Sequence, residues 1–251
     1  MRVEEQGLLT EARALIEAAS SRGVVLRLVG GLAVQLLCPE LPARTHAAQD
    51  LDFCTLGSSR PGLTELLGAH GYAPDKNFNA LYGNKHLYFA HPETGLAIDV
   101  LVDRLEMCHR LEFAPRIERL PYTLDPVDLL LSKLQIVELN EKDADDCLRL
   151  LVTHEPADSD EPGTIDLRVY RELLGDDWGW WRTVTLNLER IRALLNAGER
   201  PAIAGGRLDP QAQLAALERA AEEAPKSRRW KLRARLGERV RWYEQPEETP
   251  H

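Results

Sequence analysis

Asp50-Leu51-Asp52 places two carboxylates one residue apart, with Phe53 following. Side chains in a strand alternate between faces, so Asp50 and Asp52 face one way while Leu51 and Phe53 face the other. Two anions side by side repel, and a divalent cation between them relieves the repulsion. Upstream, the apolar run Val24–Val29 ends in Gly30-Gly31 and passes into the helix-forming stretch Leu32–Leu37. Glycines at a strand-to-helix turn let backbone amides approach an anion from the helix N-terminus. A phosphate cradle beside a metal pair suits phosphoryl or nucleotidyl transfer. A third acid comes from the run Gly95–Asp103, where Leu96, Ile98, Val100 and Val102 line one face and Asp99 lies on the other. Asp103 shares the face of Asp99, but at ~3.3 Å per residue it lies about 13 Å away. Only one of the two reaches the same metal, and Asp99, mid-strand between Ala97 and Leu101, is the candidate.

These residues need a sheet to hold them. Leu8, Leu9, Ala12, Leu15, Ile16 and Ala19 form one stripe and predict a helix over residues 4–20. The strand, glycine turn and second helix follow. Cys38–Arg44 reads as a loop because Pro39 and Pro42 cannot sit inside a helix. A helix is expected near Leu63–Gly71, then strands over Lys85–Ala90 and Leu96–Val102 joined at His91–Gly95. The expected class is α/β (α+β): a small mixed sheet flanked by helices over 1–123, an all-helical domain over 124–245 and a disordered tail over 246–251. Helices are predicted from Pro126, over Lys142–Val152, and near Ile165–Leu174, Trp178–Asn196, Pro210–Glu223 and Ser227–Tyr243.

Composition narrows the classes. With 251 residues, 44% hydrophobic and 28% charged, the chain can bury a core and reads as an ordinary soluble protein. No apolar run is long enough to span a bilayer. The acidic start, Met1-Arg2-Val3-Glu4-Glu5, does not read as a secretory signal. Cys38, Cys54, Cys108 and Cys147 show no paired spacing for disulfides or zinc, so a cytoplasmic setting is expected. The formal charge is −9, yet Lys226–Arg241 holds eight basic residues against Glu238, a net of +7 that leaves −16 elsewhere. Such asymmetry can mark a contact surface for an anionic partner. Lys226, Arg228, Arg229 and Arg233 suit phosphate contacts, with Trp230 as a stacking platform for RNA. His46, His70, His86, His91 and His109 show no ligand spacing, although His86 is a candidate for facing the acidic pocket.

Together these motifs resemble the DNA polymerase β-type nucleotidyltransferase superfamily, and within it the AbiEii-like branch, which includes toxins of bacterial toxin–antitoxin pairs. The resemblance rests on Val29–Ala33, Asp50–Phe53, Ala97–Leu101, Pro126–Lys133 and Lys142–Asp146. It implies that Gly30 and Gly31 hold a nucleoside triphosphate such as ATP and that Asp50, Asp52 and Asp99 bind Mg²⁺, with two ions during catalysis. Asp99 would also help deprotonate the acceptor hydroxyl. Lys133 would neutralise the triphosphate or pyrophosphate, and Asp143 or Asp146 would position Lys133 or the acceptor. The expected reaction moves a nucleotide to a hydroxyl on a small molecule, RNA or protein. The chain departs from the pattern at Gly31, where serine is usual, and at Arg44, six residues before Asp50. Two alternatives stand beside it: a nucleotide- or partner-binding module of weakened activity, and a tRNA-modifying toxin restrained by an antitoxin.

Overall fold

The computed structural model describes residues 3–44 and 49–245, with residues 3–5 as backbone only. His46 and the tail 246–251 lie outside the described residues. The chain forms two compact units. One comprises the chain up to Pro39, Ala43–Leu105 and Glu112–Asp125; the other comprises Glu40–Pro42, Glu106–Leu111 and the chain from Pro126 onward.

In the first unit, α1 (Val3–Ser21) buries Leu9, Ala12, Leu15, Ile16 and Ala19, the stripe its spacing predicts. It leads through a turn into β1 (Leu26–Leu28), shorter than the apolar run that contains it, and then α2 (Gly30–Leu37). After β2 (Leu51–Thr55) come α3 (Arg60–Ala69), β3 (Ala73–Pro74), α4 (Lys76–Tyr82), β4 (His86–Ala90) and β5 (Ala97–Val102). The five strands form one mixed sheet in the order β1-β2-β5-β4-β3. Only the central pair, β2 and β5, is parallel. Leu51, Phe53, Ile98, Val100 and Val102 are all buried, so the apolar half of each alternating strand anchors the sheet and turns the acidic half outward.

The β3–α4 segment is not foreseen by the sequence pattern. Asp75 starts α4 by accepting from the Phe78 amide at 2.9 Å. Asn79 then closes on the backbone of Tyr88, donating to its carbonyl at 3.0 Å and accepting from its amide at 2.7 Å. A two-residue β3 is too short to cover the edge of β4, and α4 supplies the missing partners. Next, β6 (Arg104–Glu106) and β7 (Arg110–Glu112) form a two-stranded ribbon.

The second unit contains α5 (Pro126–Leu134), α6 (Glu141–Thr153), α7 (Leu167–Asp176), α8 (Trp178–Asn196), α9 (Pro210–Glu223) and α10 (Arg228–Ala234). Asn140, Asp166, Asp177, Asp209 and Ser227 cap helix starts by accepting from first-turn amides. The unit is not purely helical, because β8 (Pro156–Ala157) pairs in parallel with β9 (Ile165–Asp166). The expected helix from Ser227 to Tyr243 stops at Ala234. Like charges one turn apart, Arg229 with Arg233 and Lys231 with Arg235, weaken it, and Gly237 turns the chain with φ +54°. Glu244 is tied down, its amide donating to the Cys108 carbonyl at 2.9 Å.

Candidate active site

Three neighbouring strands of the sheet present a polar row. In the register, Asp52 of β2 pairs with Asp99 of β5, and Asp99 pairs with Tyr88 of β4. Residues paired across adjacent strands share a face, so both carboxylates stand on one side at the strand spacing of about 4.8 Å. Asp50 lies immediately before β2 and is exposed, as is Asp52. The Tyr88 phenol is held above its ordinary value, first by burial and then by the charges of Asp99, Asp50 and Asp75. Asp50 and Asp99 therefore act on the same ring. His86, two residues before Tyr88, meets Asp99 Oδ1 through Nε2 at 2.7 Å. Its ring stands edge-on to Phe78 of α4, 5.0 Å between centroids. Asp103 serves the backbone instead. It lies past the end of β5 with φ +62° and accepts from the Gly57 amide at 2.9 Å.

The glycine turn abuts this row. The Val29 amide donates to the Asp52 carbonyl at 2.8 Å, which brings the start of α2 against β2. Gly30 has φ +66°, and a Cβ there would collide with the Asp52 carboxylate. A Cβ on Gly31 would collide with the Arg44 guanidinium, which is buried. The bare backbone expected at Gly31 for a phosphate is thus covered by a cation. Arg44, displaced in sequence, reaches the turn because the loop after α2 folds back. No side chain caps α2 and no acid sits in its first turn. Its amides and Arg44 together make a positive end next to the acids.

Among the described residues no three His, Cys, Asp or Glu side chains form a ready-made metal cage. The oxygen donors of Asp50, Asp52 and Asp99 nevertheless suit Mg²⁺, which usually takes one or two carboxylates and completes its shell with phosphate oxygens and water.

Lys133 belongs to the helical unit. Its ammonium meets Asp143 at 2.6 Å and Asp146 at 3.2 Å, two acids one turn apart on α6. Burial pulls this ammonium down, but Asp146 and Asp143 outweigh it and raise it above the ordinary lysine value. These two acids thus hold Lys133 and are not simply companions of the helix dipole, while Asp145 pairs with Arg200. In the basic stretch, Lys226 lies over the rings of Trp181 and Trp230, at 5.7 and 5.2 Å. Trp230 packs edge-on against Trp181, with 5.3 Å between centroids, so it is not an open stacking platform. Arg233 sits 4.8 Å over Trp178, whereas Arg228 and Arg229 are exposed.

Tyr88 of the acidic row carries no signal of its own in the sequence, whereas His86, a candidate for facing the pocket, does meet Asp99. Alternation along His86-Leu87-Tyr88 pairs them on one face, but only the register sets Tyr88 opposite Asp99 and His86 opposite Leu101, from where its ring reaches Asp99.

No protein-family profile and no curated protein matches the chain. A solution structure of the antibiotic-resistance factor ANT(2'')-Ia is similar at 12% identity and a TM-score of 0.41, covering 77% of this chain and 95% of that one. A crystal structure of ANT(2'')-Ia with adenylyl-2''-tobramycin gives 12% identity and 0.39, covering 75% and 99%. At so low a score the likeness assigns neither fold family nor chemistry, which rest on the residues of this chain.

Proposed function

We propose that the α/β unit transfers a nucleotide from a nucleoside triphosphate to an acceptor hydroxyl in a Mg²⁺-dependent reaction. The observation that carries this reading is the in-register pair Asp52–Asp99 beside a glycine turn with a buried arginine. An acidic face and a cationic, amide-rich turn meet there, the complement of a metal-bound triphosphate. Asp50, Asp52 and Asp99 would hold Mg²⁺, which when bound offsets charge developing on the phosphates. Gly30 lets the Asp52 carboxylate lie against the turn, and Arg44 would neutralise part of the triphosphate's charge.

The acceptor oxygen attacks the α-phosphorus and forms the new P–O bond. The bond to the β-phosphate oxygen breaks and pyrophosphate leaves. Asp99 takes the hydroxyl proton, with His86 holding its other side. Lys133, held by Asp143 and Asp146, joins α5 to α6 within the helical unit.

The decisive experiment incubates the protein with Mg²⁺ and α-labelled nucleoside triphosphates over a panel of acceptors: total RNA, protein, small metabolites and an aminoglycoside. Label should pass to one class, and Asp52→Asn should lower the rate by roughly a thousandfold, several kcal/mol of transition-state stabilisation. Equal labelling by wild type and Asp52→Asn would remove the proposal. Nucleotide binding that needs neither Mg²⁺ nor Asp52, without transfer, would instead identify a binding module.

A further inference from the structure

The helical unit ends in a surface that the proposed chemistry does not use. Among the described residues the large apolar side chains left exposed are Leu81, Leu232, Leu236 and Val240, at 75%, 61%, 50% and 51%. Three of these four recur at every fourth position, along α10 and the turn after it. One exposed leucine is ordinary, but Leu232 and Leu236 lie one turn apart on helical backbone and both line one cleft, whereas Val240 follows the turn at Gly237 on extended backbone. The leucine pair marks a contact surface.

This pair borders a cleft of about 660 Å³ that includes Leu232, Leu236, Trp178, Trp242, Tyr243 and Arg233 in its lining. Its wall is fixed. Trp242 donates through Nε1 to Thr183 Oγ1 at 3.0 Å, the Glu244 amide binds the Cys108 carbonyl at 2.9 Å, and Arg233 donates to the carbonyls of Gly237 at 2.8 Å and Val240 at 2.6 Å. A preformed cleft spares a partner the entropy of ordering it. Tryptophan, tyrosine and arginine are also the side chains that dominate binding energy at protein interfaces.

Around the pair stand Arg228, Arg229, Lys231, Arg235 and Arg239, all exposed. This charge would also attract nucleic acid, but base stacking needs open ring faces. Trp230 is taken up by Trp181 and Lys226, and Trp178 by Arg233. Apolar side chains instead alternate with the cations on the outside. We infer that α10 and its following turn dock an acidic amphipathic segment of a protein partner, with apolar side chains against Leu232 and Leu236 and carboxylates against the arginine rim.

The test uses the full chain and a fluorescein-labelled peptide with leucine at every fourth position and glutamate on its other face. A scrambled peptide of the same composition and a single-stranded RNA serve as comparisons. Anisotropy should show the amphipathic peptide binding roughly tenfold or more tightly than the scrambled one, with a similar loss in the L232S/L236S double variant. Both leucines are exposed, so the variant should keep its fold, which circular dichroism checks. No peptide binding, equal binding of the scrambled peptide, or RNA binding that is tighter and indifferent to L232S/L236S would overturn the assignment. So would wild-type dimerisation abolished by L232S/L236S, which would make a second copy the occupant.

Discussion

Gly30 meets two separate demands: a backbone angle that side chains disfavour, and a vacant Cβ position where the Asp52 carboxylate lies. Gly30→Ala should therefore lower stability by about 1–2 kcal/mol from the left-handed backbone alone. It should also displace Asp52, so that Mg²⁺-dependent nucleotide binding weakens beyond what the stability change explains. Calorimetric titration beside denaturant unfolding separates the two effects; unchanged binding would detach the turn from the site. Lys133 tests a different dependence. Its side chain is 12% exposed, with Asp143 and Asp146 at 11% and 2%. Removing the ammonium strands two buried carboxylates, and Lys133→Met should cost about 3 kcal/mol or more in unfolding free energy. A loss below about 1 kcal/mol would show the lysine to be a solvated neighbour.

The elements that carry the acids were the most legible part of the sequence, because burial imposes a period of two. Leu51 and Phe53, and likewise Ile98, Val100 and Val102, identify both strands and the outward face of Asp52 and Asp99. The pairing of Asp52 with Asp99 was not legible, since register depends on how strands distant in sequence align. The same holds for Arg44 on Gly31, a contact without local signature, whereas Asp143 and Asp146 as partners of Lys133 came only from the family resemblance. The shortened α10 was a failure of pattern: basic spacing compatible with a helix hid mutual repulsion and the turn at Gly237. His109 gives the short segment before β7 a measurable signature. It is 8% exposed, and its Nε2 meets Thr183 Oγ1 at 2.8 Å. Burial lowers its pKa from 6.5 to about 4, with Asp177 pulling the other way. Well above pH 6.5 the imidazole is neutral in both folded and unfolded chains and gives no slope. As pH falls from 6.5 toward about 4, only the unfolded chain gains the proton, so stability declines. The decline should reach about 3 kcal/mol. Urea midpoints at intervals across this range should fall less steeply in His109→Gln; equal slopes would place the titration elsewhere.

At the scale of the whole chain, sequence order and compactness part company. Glu106–Leu111 precedes the last part of the α/β unit in sequence yet belongs with the helices. Inside that unit it makes specific bonds: the His109 amide donates to Gln135 Oε1 at 3.0 Å, Trp180 Nε1 donates to the Arg110 carbonyl at 3.2 Å, and the Cys108 carbonyl accepts from Glu244. Its side chains also fill space, with Cys108, His109 and Leu111 all buried. A helical fragment beginning at Pro126 would lack these groups. It would leave Gln135 and the Trp180 indole without their partners and open a gap beside α8, each a loss on the order of 1–3 kcal/mol. Against the 5–15 kcal/mol or so that holds an ordinary domain together, several such losses at once are decisive. The fragment 126–245 should therefore show helical far-ultraviolet dichroism but a broad thermal transition and little amide protection around α8. Adding a peptide of residues 104–112 in excess should sharpen the transition, because binding only the folded form shifts the equilibrium toward it. A sharp, peptide-independent transition in the fragment would mean that the helices close their own core and that the inserted segment merely rests on them.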